Sequence, residues 1–154
     1  RLLMLQQPVA RDLRAISTAL KMITDLERIG DHASDIAELI LRIKGEHVYH
    51  VVRHIPSMAT AAREMVRCSI EAFINQDLET AKQIEKQDDV VDELFDKVKN
   101  DVVDLLKHSN EHIDQCIDLL MVAKYLERIG DHAVNVCEWT EFSKTGALKN
   151  VRIL

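Results

Sequence analysis

The sequence predicts an all-α protein made from two copies of one three-helix unit, of which the second is complete and the first is represented by its third helix only. Three observations lead there. Pro occurs twice and Gly four times in 154 residues, too few for a fold of many short strands and tight turns. The octapeptide LERIGDHA stands at 26–33 and again at 126–133, and Leu20/Leu120 and Glu38/Glu138 keep the same 100-residue offset. Between and around these copies, apolar residues recur at alternating steps of three and four, the spacing of one helix face.

The elements follow in order. Pro8 opens a helix over about 9–44, closed by Gly45. Its apolar positions Leu13, Ile16, Leu20, Ile23 and Ala37 lack bundle partners within the chain and are expected to bury elsewhere, by association with another copy or by exchange of helices. The chain opens at Arg1 inside this helical pattern, which suggests an N-terminally truncated first unit; by analogy with the second copy, two helices of roughly 60–75 residues would precede it. Residues 46–55 are expected to form a linker. Its His47 and His50 and the neighbouring His54 would share one face if helical, but solvated histidines are the plainer expectation. Pro56 sits at a tolerated first-turn position and opens a helix to about Asn75. The face of that helix is Met58, Ala62, Met65, Ser69 and Phe73. Asp77 can cap a helix over about 78–108, with the seam Ile84, Asp88, Val91, Phe95, Val98, Val102 and Leu105. Ser109 or Asn110 breaks the chain, and a last helix runs over about 111–142 with Gly146 past its end. Residues 1–45 thus form the remnant of the first unit, 56–146 the second unit, a three-helix bundle, and 147–154 a tail.

Composition excludes several functions. The net charge is −6, so the chain lacks the basic footprint of a nucleic-acid binder, and aromatics are 4%, too few for base-stacking platforms. Cys68, Cys116 and Cys137 have no C-x-x-C spacing and fit buried residues of a reducing compartment. No apolar run reaches the 18 residues of a membrane span. No Ser-His-Asp arrangement, phosphate-cradling Gly loop or H-E-x-x-H is present, so an enzyme is not expected. A di-iron oxidase of the ferritin kind would need Glu-x-x-His on two helices, and neither Glu27 nor Glu127 has a His three residues on.

The chemistry sits where apolar residues are expected. In the last helix the seam Cys116, Leu120, Ala123, Glu127, Gly130, Val134, Cys137 carries Glu127 toward the bundle, with Asp131 one turn on. Asp88 replaces an apolar seam residue of the preceding helix, with Asp92 one turn on. Residues i and i+4 are neighbours on a helix surface, so four carboxylates can meet across one groove. A buried unpaired carboxylate costs several kcal/mol, which calls for protonation, a Lys or Arg partner, or a bound cation. Lys124 and Arg128 flank the cluster, but Arg128 follows Glu127 directly and points about 100° away. Oxygen donors favour magnesium, calcium, manganese or ferric iron; His132 would add nitrogen and admit zinc. A helix-interior Gly130 or Gly30 weakens its helix by about 1 kcal/mol relative to Ala and suggests close helix approach. The first copy repeats the motif as Glu27, Asp31 and His32, with Asp35 where the second has Asn135; the helix that would supply its partner carboxylates is not in this sequence, so it is expected to be half a site unless another copy completes it. A single acidic i, i+4 pair is usually a solvated face; the seam position and the repetition favour a metal cluster here.

These residues resemble the PhoU family. The resemblance rests on QQPVARDLRAISTALKMITDLERIGDHASDIAE, on QDDVVDELFDKV, and on LLMVAKYLERIGDHAVNVCEW, and it covers nearly the whole chain. It implies a PhoU-like pair of tandem three-helix bundles. It implies E(D)-x-x-x-D motifs holding a multinuclear metal cluster, with iron or zinc foremost and magnesium or manganese as alternatives. Those motifs fall on Asp88/Asp92, Glu127/Asp131 and Glu27/Asp31. It also implies a cytoplasmic adaptor between the ATPase of a phosphate ABC transporter and a phosphate-sensing histidine kinase, one that meets the membrane only through its partners, represses the starvation response and restrains uptake. A PhoU-like regulatory domain of a sodium/phosphate cotransporter, a metal-storage bundle and a plain structural bundle with solvated acids are the alternatives.

Overall fold

In the computed structural model, which describes residues 10–43 and 52–146, four helices follow one another. They are α1 (Ala10–Arg42), α2 (Ile55–Asn75), α3 (Leu78–His108) and α4 (Ile113–Thr145). Pro8, Gly45, His47, His50, most of the expected linker and the tail 147–154 lie outside the described residues.

Local chemistry sets most of the ends. The Asp77 carboxylate accepts from the backbone N–H groups of Glu79 and Thr80, at 3.1 Å each, and from the Thr80 hydroxyl at 2.6 Å. Two of the first-turn N–H groups of α3, which have no partner inside the helix, are satisfied in this way. Gln76, at φ 53°, reverses the chain between α2 and α3; Lys144 Nζ donates to its carbonyl at 3.0 Å and ties the turn to α4. Gly146, at φ 75°, ends α4 in the left-handed conformation expected of it. The start of α4 differs from expectation. His112 adopts φ 63°, so helical geometry begins at Ile113 rather than near 111.

Helices α2, α3 and α4 each pack against the other two, and among the described residues α1 packs against α4 alone. The bundle core is built from Met58, Met65, Val91, Val98, Ala123 and Ala133, each fully shielded. Because α4 is covered on two sides, it buries residues around most of its circumference, including Val122, Ile129 and Val136 on its α1 side as well as Cys116, Gly130 and Cys137 on its bundle side.

The apolar stripe expected to lack partners within the chain stays mostly outside the α1–α4 contact, which a second stripe makes. Thr18, Met22 and Asp25 are buried and Ile29, His32, Ile36 and Leu39 half-buried. Their steps of 4-3-4-3-4-3 make them a second helical stripe. Leu13 (48% exposed), Leu20 (63%) and Ile23 (60%) face outward. Ile16 is half-buried and Ala37 exposed. The helix carries two apolar stripes, and a single antiparallel neighbour covers one.

Candidate metal centre

Asp88 and Asp92, one turn apart on α3, and Asp131 on α4 each bring a carboxylate oxygen within 4.8 Å of the others. Gly130 makes this approach possible. A Cβ there would lie 3.3 Å from Asp88 Oδ1 and 3.6 Å from Met65 Sδ, so the α4 backbone itself forms the wall behind the Asp88 carboxylate. Asp88 Oδ1 is shielded from solvent and has no hydrogen-bond partner. Burial, then the charges of Asp131 and Asp92, push the Asp88 carboxyl up to about 7. Burial and neighbouring acids also raise Asp92 and Asp131, against the opposing pull of Lys124 on both.

Glu127 stands beside this trio without joining it. Its side chain is 17% exposed, and its Oε2 accepts from Lys124 Nζ at 2.7 Å. The Lys124 ammonium also lies 5.1 Å from the centre of the Phe95 ring. Of the four acids expected to face one another, three converge and the fourth is ion-paired.

The donor set fits a hard cation: all its ligand atoms are oxygen, one of them is buried without a partner, and no His or Cys atom joins the group. His132 and Asn135 serve the opposite side of α4. His132 Nδ1–H donates to Asp25 Oδ1 at 2.9 Å, and Asn135 Nδ2 donates to the same oxygen at 3.0 Å. Asp25, 8% exposed, was not singled out from the sequence, although it occupies the 4-3 stripe that faces α4.

The first repeat holds its acids differently. Glu27 and Asp31 are exposed, and a Cβ on Gly30 would meet nothing within 4 Å. His32 Nδ1 is 3.8 Å from Asp35 Oδ2, beyond hydrogen-bond reach. The His32 ring stacks between Tyr125 (5.4 Å) and His132 (5.5 Å); burial first, then His132 and Arg128, lowers its pKa. Among the described residues, Asp88, Asp92 and Asp131 are the only convergent group of three such side chains.

A family described as the PhoU domain matches residues 1–40 and 55–140. The chain belongs to the PhoU family. It is 42% identical over 147 residues to the phosphate-specific transport system accessory protein PhoU homolog of Clostridium acetobutylicum, covering 95% of this chain and 67% of that protein. It is 34% identical over 146 residues to PhoU homolog 1 of Thermotoga maritima, covering 94% and 62%. Two crystal structures superpose on it: the phosphate transport system regulatory protein PhoU of Streptococcus pneumoniae, with TM-score 0.83, 26% identity and coverage of 94% and 68%, and PhoU of Pseudomonas aeruginosa, with TM-score 0.82, 32% identity and coverage of 96% and 71%. The chain thus spans about two thirds of the length of these PhoU relatives. The all-α PhoU-like bundle is the fold the sequence predicts. Among the described residues, no helix is long and apolar enough to cross a membrane.

Proposed function

We propose that this chain is a non-enzymatic regulator of phosphate transport that carries a metal centre between α3 and α4. The names of its relatives, accessory proteins of phosphate-specific transport, support the regulatory role. The observation that carries the metal centre is the convergence of Asp88, Asp92 and Asp131 around a buried carboxylate oxygen with no partner. Three aspartates supply a hard cation with charge and oxygen; manganese, magnesium or ferric iron suit that set. Iron agrees with the family resemblance, whereas zinc would gain little without a nitrogen or sulfur donor. In this reading the chain acts in the cytoplasm as an adaptor between the transporter ATPase and a phosphate-sensing kinase, and it restrains both uptake and the starvation response.

The test is elemental analysis of chelator-stripped protein reloaded with Mn2+, beside a phosphate-starvation reporter in a host lacking its own PhoU. The wild-type chain retains manganese and represses the reporter. The double substitution Asp88→Asn/Asp131→Asn loses the metal, and Glu27→Gln/Asp31→Asn keeps the stoichiometry of this site. Unchanged metal in the first pair removes these ligands from the reading; an unrepressed reporter with the wild-type chain overturns the regulatory role.

A further inference from the structure

We infer that Lys124 is a tethered competitor of the metal: its ammonium holds Glu127 out of the donor set and sets the cation affinity of the Asp88/Asp92/Asp131 cluster. This rests on the metal-centre reading above. Lys124 is anchored twice, by the 2.7 Å contact with Glu127 Oε2 and by the Phe95 face at 5.1 Å. The first contact lies within α4, whereas the second reaches across to α3, so the ammonium sits at the same helix–helix groove as the aspartates. Cation–π attraction holds an ammonium over a ring without neutralising it, so its charge still acts on the cluster.

The first repeat supplies the contrast. The residue 100 positions before Lys124 is Thr24, whose hydroxyl donates to the Leu20 carbonyl at 3.2 Å. Its Glu27 and Asp31 have no convergent acids opposite them among the described residues. A lysine suits this task because its four-carbon stem is flexible and its charge compact. With its side chain 38% exposed, Lys124 has room to swing toward solvent, and Glu127 is then free to add a fourth carboxylate. Oxygen-ligated cations take six or more donors, so a released Glu127 strengthens the site.

The test uses the whole chain, stripped with chelator and titrated with Mn2+, with free ion followed by electron paramagnetic resonance. Lys124→Met is expected to tighten binding by about 3- to 10-fold, the effect of removing one nearby positive charge at a partly solvated site. Lys124→Arg, which keeps the charge, stays within about twofold of wild type. In a Glu127→Gln background the gain from Lys124→Met shrinks, because the two residues act as one unit. Equal or weaker binding by Lys124→Met, with normal binding by wild type, overturns the inference and leaves the metal centre standing. A wild-type chain that binds no Mn2+ overturns both. Should Lys124→Met fail to fold, Phe95→Leu, which loosens the tether, is expected to tighten binding in the same direction; no change there overturns the inference as well.

Discussion

Helices α1 and α4 carry the same LERIGDHA sequence and use it in opposite ways. In α4 the glycine of the motif backs onto Asp88 and Met65, and the glutamate is largely shielded. In α1 the glycine meets open space and the glutamate is exposed, while the aspartate of the motif is exposed in both copies. The motif is therefore not a site in itself. In the proposed reading it takes a second acidic helix lying against the glycine, as α3 does against α4, to complete one. Where the two copies touch each other, by contrast, they behave alike. His132 bonds Asp25 while His32 stacks on Tyr125, and positions 25/125 and 32/132 exchange under the 100-residue offset. This is the reciprocal pattern of a twofold contact, written within one chain and filled with different residues on its two arms.

The largest effect that can break this picture lies on the polar arm. Asp25→Ala leaves His132 Nδ1–H and Asn135 Nδ2 without their shared acceptor in a buried interface, which costs about 1–3 kcal/mol. Tyr125→Phe on the opposite arm keeps the ring that meets His32 and is expected to change stability by less than about 0.5 kcal/mol. Thermal melts of the two variants measure the difference. Equal losses would mean that the arms hold α1 to α4 by the same interactions.

The glycine pair gives the next test. Gly30→Ala gains helix propensity of about 1 kcal/mol with nothing to displace. Gly130→Ala gains the same propensity, but its methyl sits 3.3 Å from Asp88 Oδ1, a tight contact, with Met65 at ordinary packing distance. It should lose most or all of that gain, and it should weaken Mn2+ binding by shifting Asp88. Urea unfolding of the two variants sharpens the comparison. An equal stabilisation in both would show that α3 yields easily and that the groove is not tight.

Most of the fold is legible in the sequence because its signals are local. Asp77 caps α3 as its side-chain chemistry dictates, and Gly146 takes the left-handed residue at the end of α4. The placement of Asp88 at a seam position also carries through to its partly buried carboxylate. What escaped was tertiary. The stripe Leu13, Leu20 and Ile23 reads from the sequence as one without partners in the chain, but period alone does not reveal that the second stripe, Thr18, Met22, Asp25 and Ile29, meets α4. Asp25 carries no sequence signal of its own, because a lone acid among apolar positions reads as surface until His132 and Asn135 are seen opposite it. Glu127 was grouped with the aspartates by its i, i+4 spacing to Asp131, whereas Lys124 at i−3 is as close along the helix and of opposite charge. The His112 start of α4 has only a weak sequence signal, since histidine is enriched among left-handed residues but is found there far less readily than glycine.

The smallest expected effect is a slope rather than a step, and it reads the acid cluster directly. In chelated protein the Asp88 carboxyl is raised from 3.8 to about 7, first by burial and then by Asp131 and Asp92. The folded state then holds a proton that the unfolded chain has already released between about pH 4 and pH 7. Stability linked to Asp88 is full below that window and falls as pH rises through it. Partial exposure screens the effect, so melting temperature should decline gently from pH 5 to pH 8. Asp88→Asn removes much of that decline, and Asp31→Asn, out in solvent on α1, leaves it as it was. With Mn2+ in excess the slope should reverse, because carboxylates bind a cation only when deprotonated. A chelated wild type whose melting temperature climbs over the same range would mean that the Asp88 carboxylate has a counter-ion already, and the contrast between the two repeats would lose its electrostatic basis.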